Sequence, residues 1–354
     1  MSEAKSRVFF SPNVEPDQRE AFTNMLGINS TSNLGKYLGF PIKHPGRQRH
    51  DYDFILDRVK KKLASWKANL LSMAGRMILI QASSSAIPSY VLQSTCLPSN
   101  ILKGIDRVNR NFLWGSSDHT GKMHWVNWNE VTKPKELGGL GLQSTKGRNM
   151  VLLAKLNWRF HTDKESQWAK VLRFKYCSRQ RVNSRNETKL PSSSTWKGLK
   201  KGEYVFKEGI KWVPGHESNL NFWTDCWLNC GPIRSCIQGP LPQGSANLTL
   251  KDLRTPFGWS WSAIPFELPT EIKANIQAIT LPVAARSSDK LAWKYSAKGN
   301  FDTKSAYLLA LDMMEAESFS GSWIWKLQTL PRIQMFIWRC MHNNIRVKNF
   351  LANR

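Results

Sequence analysis

An apolar stripe in the stretch from Asp51 to Leu97 constrains the fold of this chain more than any other feature. Its members recur at steps of four, four, three and four residues, the spacing of one helix face, and they are Ile55, Val59, Leu63, Trp66 and Leu70. Cations occupy the remaining arc of the same helix, and they are Arg58, Lys60, Lys61, Lys62 and Lys67. The pattern predicts an amphipathic helix with one apolar face and one basic face.

Two further helices are predicted after this one. Gly75 interrupts the pattern, and a largely apolar helix is expected from Met77 to Val91. The third helix has a single apolar stripe, which consists of Ile101, Ile105, Val108 and Phe112. The cations away from that stripe are Lys103, Arg107 and Arg110. Three such helices predict a small bundle that is basic on its outside.

Three tryptophans follow the third helix, and they are Trp114, Trp125 and Trp128. Capping of an apolar core is the usual task of tryptophan at such a place, and stacking on nucleic-acid bases is the alternative. We expect these residues to cap the bundle.

The excess of positive charge indicates an anionic partner. The chain has 51 Lys and Arg against 26 Asp and Glu, a formal net charge of +25. Such an excess is self-repulsive in a compact state. It is spread along the chain among aromatic residues, which favours nucleic acid. The first helix is the best candidate for the nucleic-acid-binding surface, since five cations accompany one acid, Asp57, between positions 57 and 67. A solvated basic surface without a partner is the alternative.

Composition argues against a membrane or a secreted protein. No apolar run approaches the length of a membrane span, and the N-terminus lacks the apolar core of a signal peptide. Six scattered cysteines in 354 residues indicate a reducing compartment. We therefore expect a nuclear or cytoplasmic protein that does not bind a membrane.

Local patterns elsewhere predict short elements. At the N-terminus they are a strand at Arg7–Phe10, a short helix at Phe22–Leu26 and a hairpin between Gly35 and Pro41. Helical spacing returns from Met150 to Phe160 and again from Ile272 to Ile279. Alternation predicts one hairpin with Trp212 before its turn and a second that turns at Lys298–Asn300. Thr303 is expected to cap a helix from Ser305 to Met314.

Residues 170–211 carry twelve Lys and Arg against three Glu. Two interpretations of this stretch remain open. It is either a disordered basic linker or a nucleic-acid-binding arm that becomes ordered on binding.

No constellation of residues specifies an enzyme. Metal-dependent phosphoryl transfer needs clustered carboxylates, and the closest aspartates, Asp51 and Asp53, lie at a helix start, where acids are expected for dipole reasons. Zinc ligation is conceivable for Cys226, Cys230, Cys236 and His216. Their spacing is not that of a zinc knuckle, which favours cysteines without a metal.

The order of several segments resembles plant LINE-type (non-LTR) retrotransposon reverse transcriptases. The first segments are KSRVFFSPNV, GKYLGFPI, LASWKANLLSMAGRMILIQASSSAIPSYVLQ and FLWG. They are followed by KPKELGGLGLQS, LLAKLNWR, FWTDCWL and GNFDTKSAY. The last, SWIWKLQTLPRIQMFIWRCMHNNIRVKNFLANR, is similar to the opening half of the zinc-binding domain of these proteins. The resemblance covers nearly the whole chain and corresponds to the region after the polymerase palm.

This resemblance implies five parts. They are a remnant of the palm and primer-supporting hairpin (1–43), a thumb-like helical bundle (44–135), a helical and basic connector (136–211), a connector with a β-hairpin (212–288) and a truncated zinc-binding domain (289–354). The expected fold class is α+β and mainly helical, a small thumb-like bundle followed by a mixed hairpin and helix region. Both ends of the chain resemble cut ends.

The resemblance also implies which residues bind nucleic acid. The expected contacts of the thumb are Arg58, Lys60, Lys61, Lys62, Lys67 and Arg76. The primer-supporting hairpin corresponds to Tyr37, Leu38 and Gly39. The family holds Mg at a Tyr/Phe-Ala-Asp-Asp element and Zn through cysteine and histidine ligands, and this chain matches neither ligand set. We therefore expect no catalytic residue, no metal ligand and no cofactor in it.

The function that follows is binding of RNA, DNA or an RNA–DNA hybrid by a C-terminal fragment that does not polymerise on its own. Two alternatives stay open. The chain could complement a separate palm-containing polypeptide and restore an RNA-directed DNA polymerase. It could also be the non-functional product of a decayed retroelement.

Overall fold

A computed structural model of the chain describes residues 6–11, 13–32, 36–37, 40–41, 52–64, 70–116, 121–177, 192–242, 244–255, 258–279 and 288–344. The chain forms two compact units, Met1–Asp53 and Phe54–Arg354. Most regular structure in the described residues is helical, with short antiparallel strand pairs, so the predicted mainly helical α+β class is confirmed. The described helices include none of the length and apolarity that crossing a membrane requires.

The first unit contains a helix and a hairpin. Helix α1 (Pro16–Leu26) ends at Gly27, whose φ of 64° is left-handed and therefore suits glycine. The helix predicted at Phe22–Leu26 is confirmed and is longer than expected. Strand β1 (Lys36–Tyr37) pairs antiparallel with β2 (Phe40–Pro41), which confirms the predicted hairpin.

The strand predicted at Arg7–Phe10 is wrong. Among the described residues Val8 makes a single isolated parallel bridge, to Ser30. β-branched and aromatic residues favoured a strand there, but a strand also needs a partner along its length.

The remaining helices are α2 (Asp53–Leu63), α3 (Met73–Leu79), α4 (Ser89–Leu92), α5 (Ser99–Trp114), α6 (Trp128–Val131), α7 (Thr145–Thr162), α8 (Gln167–Cys177), α9 (Ser194–Gly209), α10 (Thr270–Gln277), α11 (Thr303–Ala310) and α12 (Pro331–Met341). The strands described in the second unit are β3 (Ile210–Val213), β4 (Arg254–Thr255), β5 (Gly258–Trp259) and β6 (Lys290–Trp293). Strand β3 pairs antiparallel with β6, and β4 pairs with β5.

Helix α2 confirms the first half of the apolar stripe. Ile55, Val59 and Leu63 are all buried. The second half is wrong where the structure describes it, because α2 ends at Leu63 and Leu70 is 78% exposed. Trp66 lies outside the described residues.

The single helix predicted from Met77 to Val91 is divided. Helix α3 contains Gly75 in its interior, so Gly75 does not interrupt it. A π-helical segment, Ile80–Ser84, follows directly, and α4 comes after a turn. Helix α5 is confirmed, with its buried face displaced from the predicted stripe. The buried side chains of α5 are Ile101, Leu102, Ile105, Asn109, Leu113 and Trp114.

One apolar core joins α3, α5, α6 and α12. Trp114 and Trp128 are each 8% exposed within it, and Trp125 packs against it. Trp338 of α12 is fully buried in the same core, and its Nε1 donates to the Gly138 carbonyl at 2.7 Å. The prediction that Trp114, Trp125 and Trp128 cap the bundle is confirmed.

A second core surrounds α7, which confirms the helical spacing from Met150 to Phe160. Helices α9 and α11 and strands β3 and β6 pack around α7. Trp293 of β6 is fully buried there, and its Nε1 donates to Ser305 Oγ at 2.8 Å. The interpretation of residues 170–211 as a disordered linker is wrong for the described part, because α8 and α9 are helices with buried faces.

A third core is rich in aromatic residues and poor in regular structure. Phe222 and Trp223 are fully buried in it, and Trp227 is 3% exposed. Helix α10 contributes Ile272 and Ile276, which confirms the helix predicted there.

The pairing of both hairpins predicted in the C-terminal half is wrong, although β3 and β6 confirm one strand of each. Ile210 of β3 pairs with Trp293 and Val213 pairs with Lys290, so each strand has a partner distant in sequence. The helix predicted from Ser305 is α11, and its N-cap is Asp302 instead of Thr303. The Asp302 carboxylate accepts hydrogen bonds from the amides of Lys304 and Ser305.

Candidate nucleic-acid interface

Helix α2 presents its cations to solvent because its apolar residues occupy the opposite face. Asp53 lies in the first turn, and Lys60, Lys61 and Lys62 lie in the last. Both placements complement the helix dipole, which favours acids at the N-terminus and bases at the C-terminus. The sequence therefore favours a helix whose last turn is strongly cationic.

The exposed cations of α2 are Arg58, Lys60, Lys61 and Lys62. None of these four takes part in an ion pair between residues that the structure describes. The guanidinium of Arg58 lies 5.8 Å from the centre of the Phe54 ring, a cation–π contact that orients it. These side chains are thus available to an anionic partner.

Helix α5 contributes two more cations next to α2. Leu56 of α2 contacts α5 at Gly104, where an added Cβ would lie 3.3 Å from Leu56 Cδ2. Lys103 and Arg107 are exposed on the flank of α5 beside Gly104, one turn apart. Lys60 lies one turn after Leu56 on the same face of α2. We refer to Arg58, Lys60, Lys61, Lys62, Lys103 and Arg107 as the α2–α5 surface.

Sequence reasoning did not include Lys103 and Arg107 in the interface, although it placed both away from the apolar stripe of α5. Their spacing of four residues was a signal that they share one face. The contact of Leu56 with Gly104, which brings that face next to α2, has no counterpart in the local sequence pattern.

Arg76 lies apart from this surface. It is partly buried on α3, and its guanidinium lies against Gly115 at the C-terminal end of α5. Gly115 is eleven residues beyond Gly104, which corresponds to about 16 Å along the helix axis. Lys67 lies outside the described residues. Leu38 and Gly39 do as well, and Tyr37 is described only as part of β1.

Asp106 connects α5 to the first turn of α7. Its Oδ1 accepts a hydrogen bond from Thr145 N at 3.0 Å and another from Thr145 Oγ1 at 2.7 Å. Burial raises the pKa of Asp106 above its ordinary value of 3.8, more than the hydrogen bonds from Thr145 and the charge of Arg110 lower it. This carboxylate fixes the first turn of α7 relative to α5, and α7 in turn packs against α9.

The predicted cysteine candidates do not form a recognisable metal centre. Among the described residues no three His, Cys, Asp or Glu side chains are arranged to hold a metal ion. Cys226, Cys230 and Cys236 are free thiols. Burial, followed by the neighbouring Cys236 and Cys226, raises the pKa of Cys230.

Fold and surface together define a mainly helical α+β protein with an exposed basic helix pair. The chain is homologous to plant proteins. It is 32% identical over 304 residues to a protein of Arabidopsis thaliana named "Putative ribonuclease H protein", a match that covers 84% of this chain and 49% of that protein. It is 26% identical over 144 residues to an "Uncharacterized mitochondrial protein" of the same plant, over 40% of this chain and 93% of that protein.

The chain thus spans about half the length of the first of these relatives, 49%. No protein-family model matches the chain. No solved structure is significantly similar to it.

Proposed function

We propose that this chain is the thumb and connector part of a plant LINE-type reverse transcriptase and that its α2–α5 surface binds the backbone of a nucleic-acid duplex. The observation that carries the proposal is a set of six exposed cations on two contacting helices. None of them forms an ion pair with another described residue. The ordered resemblance of the segments and the homology to a plant protein named for ribonuclease H support the retroelement origin.

The binding is independent of base sequence. Lysine recognises phosphate as a point charge and gives little base discrimination on its own. Arg58 to Lys62 covers about 6 Å of helix axis, and phosphates of one strand recur about every 3.4 Å along a duplex. Arg58, Lys61 and Lys62 share one face of α2 and can therefore reach neighbouring phosphates, with Lys60, Lys103 and Arg107 extending the contact toward α5.

Holding a duplex is the entire activity that we assign to this surface. Phosphoryl transfer and metal-dependent hydrolysis need clustered carboxylates, and the described residues bring no three potential metal ligands together. The ribonuclease H name of the relative therefore supports the retroelement origin and supplies no step of a mechanism here.

A binding titration tests the proposal. The α2 triple variant carries Lys60→Ala, Lys61→Ala and Lys62→Ala, and the control triple variant carries Lys290→Ala, Lys298→Ala and Lys326→Ala. All six lysines are exposed, and no described ion pair includes any of them. Affinity for an RNA–DNA hybrid of about 20 base pairs is measured at about 50 and 200 mM salt.

The α2 triple variant should bind the hybrid at least tenfold more weakly at the lower salt concentration. The slope of the logarithm of its association constant against the logarithm of salt concentration should be shallower by up to about 2.7, because each lost phosphate contact lowers the slope by about 0.9. The control triple variant should retain the wild-type slope. Equal affinity and equal slope for wild type and the α2 triple variant would exclude this surface as the duplex site.

A further inference from the structure

Helix α9 exposes a second cationic face, in the part of the chain for which the sequence left two interpretations open. Lys197, Lys200, Lys201 and Tyr204 follow one another at helical spacing and are all exposed, Tyr204 by 59%. None of the three lysines forms an ion pair with another described residue. The N-terminal half of α9 contains no acid. We refer to these four residues as the α9 surface.

The acids of α9 lie in its C-terminal half. Glu203 pairs with Lys207, with Oε1 and Nζ 2.7 Å apart, and Glu208 lies at the end of the exposed face. Positive charge is therefore concentrated in the first half of α9.

The backbone of α9 is held rigidly behind this surface. A Cβ on Gly202 would lie 2.5 Å from the Leu153 carbonyl carbon, so the α9 backbone touches the α7 backbone. The buried Asn157 of α7 donates from Nδ2 to the Leu199 carbonyl at 2.7 Å. A ligand of the α9 surface thus meets a preformed helix and orders only side chains on binding.

Aromatic rings are interleaved with the cations. Trp196 of α9 stacks on Tyr176 of α8, with ring centroids 4.5 Å apart and planes 9° from parallel. Lys200 Nζ lies 6.0 Å from the Trp196 ring and Lys175 Nζ lies 5.4 Å from the Tyr176 ring. Tyr204 follows Lys200 and Lys201 by one turn and leaves its ring open to solvent.

We propose that the α9 surface binds single-stranded nucleic acid, with phosphates on Lys197, Lys200 and Lys201 and one base stacked on Tyr204. Cationic side chains that follow the backbone, combined with an exposed ring that accepts any base, are the physical basis of single-strand binding. An anionic membrane fits less well, because membrane-surface helices need a continuous apolar face beside the cations and the exposed face of α9 offers only Tyr204. This second site goes beyond the duplex site proposed above and does not depend on it.

Two charge-reversal variants of the full chain test the proposal. The α9 triple variant carries Lys197→Glu, Lys200→Glu and Lys201→Glu. The reversed control carries Lys290→Glu, Lys298→Glu and Lys326→Glu and changes the net charge by the same amount. Fluorescence anisotropy measures binding of an oligouridine of about 20 nucleotides and of the same hybrid duplex. Circular dichroism checks that each variant is folded.

The α9 triple variant should lose at least tenfold in affinity for the oligouridine, with a salt slope shallower by about 2, since each single-strand phosphate contributes about 0.7. For the reversed control, the decrease in the logarithm of oligouridine affinity should be less than half that of the α9 triple variant. Tyr204→Ala should weaken oligouridine binding by about tenfold, and Tyr204→Phe should restore it because the ring remains. The α2 triple variant should keep its affinity for the oligouridine, which separates this proposal from the duplex site.

Three results would overturn the inference. Equal losses in the α9 triple variant and the reversed control would show that affinity follows net charge alone. Wild-type affinity in Tyr204→Ala would remove the stacking contact. The third result comes from vesicles that contain phosphatidylserine. If the α9 triple variant no longer binds these vesicles but binds the oligouridine as wild type does, the α9 surface is a membrane site.

Discussion

Helices α2 and α9 each present lysines to solvent, but they are held in place in different ways. Helix α2 contacts α5 through a side chain, Leu56, at Gly104, whereas α9 contacts α7 backbone to backbone at Gly202. The first contact can adjust by rotation of a leucine, and the second cannot adjust without moving a helix. We therefore expect the α9 surface to be held more rigidly than the α2–α5 surface.

This difference also explains why the sequence indicated one helix and not the other. Gly198, Gly202 and Gly209 lower the intrinsic helix propensity of α9 by about 1 kcal/mol each relative to alanine. The loss is offset by close approach, since added Cβ atoms at Gly198 and Gly202 would lie 2.9 Å from Leu153 Cδ2 and 2.5 Å from the Leu153 carbonyl carbon. Glycine in this helix marks tight packing, although in a sequence it resembles a linker.

The largest expected effect follows from replacing the glycine at the α7–α9 crossing. Gly202→Val places a branched side chain against the Leu153 and Ala154 backbone, and such overpacking should lower the free energy of unfolding by about 3 kcal/mol. Urea unfolding followed by circular dichroism measures it. A loss below about 1 kcal/mol would show that the crossing is not tightly packed.

The next largest effect concerns the joint between the two surfaces. Asp106→Ala removes the acceptor of Thr145 N and Thr145 Oγ1, and leaving both donors unpaired should cost about 2 kcal/mol at neutral pH. Urea unfolding of this variant beside Thr145→Val distinguishes the two donors. An unchanged midpoint for Asp106→Ala would show that water replaces the carboxylate.

A pH series compares Asp106 with Asp302, the N-cap residue of α11. For Asp302, burial alone would raise the pKa, but the hydrogen bonds from Ser305 and Lys304 and the charge of Lys304 lower it below 3.8. The contribution of Asp106, whose pKa is raised, is full below pH 3.8 and is lost as pH rises through its folded pKa. The contribution of Asp302 is present above pH 3.8 and is lost as pH falls through its folded pKa.

Asp106→Asn and Asp302→Asn should therefore show opposite trends as the pH falls from neutral toward 3.8 and below. The stability advantage of wild type should grow over Asp106→Asn and shrink over Asp302→Asn. Free energies of unfolding at several pH values measure both trends. Parallel trends would contradict the assigned environment of Asp106.

The smallest effect is expected at the α2–α5 contact. Gly104→Ala places a methyl group 3.3 Å from Leu56 Cδ2, the far end of a flexible side chain. The gain in helix propensity of up to about 1 kcal/mol should roughly balance the adjustment of Leu56. We expect a change within about 0.5 kcal/mol, and a loss as large as that of Gly202→Val would erase the difference between the two contacts.

The spacing of apolar residues correctly predicted helices whose buried face follows from neighbouring turns of the same helix. Ile55, Val59 and Leu63 are buried on α2 as expected. Ile272 and Ile276 are likewise buried on α10. The end of α2 at Leu63 was missed because the stripe continues to Leu70, which is exposed. The pairing of β3 with β6 was missed because alternation indicates a strand and does not identify its partner.

The candidate site shows the same limit. Lys60, Lys61 and Lys62 could be predicted to face solvent because an amphipathic helix separates apolar and charged faces. Arg76 was grouped with them by resemblance, and the structure places its guanidinium against Gly115. The inclusion of Lys103 required the contact between Leu56 and Gly104, which only the folded chain contains.

Lysine acetylation footprinting tests the central claim most directly, because it reports each lysine of the intact chain in one experiment. With the RNA–DNA hybrid bound, Lys60, Lys61, Lys62 and Lys103 should be protected, and Lys290, Lys298 and Lys326 should react as they do in the free protein. Protection of the control lysines to the same extent, or unchanged reactivity of Lys60, Lys61 and Lys62, would contradict the assignment of the α2–α5 surface as the duplex-binding site.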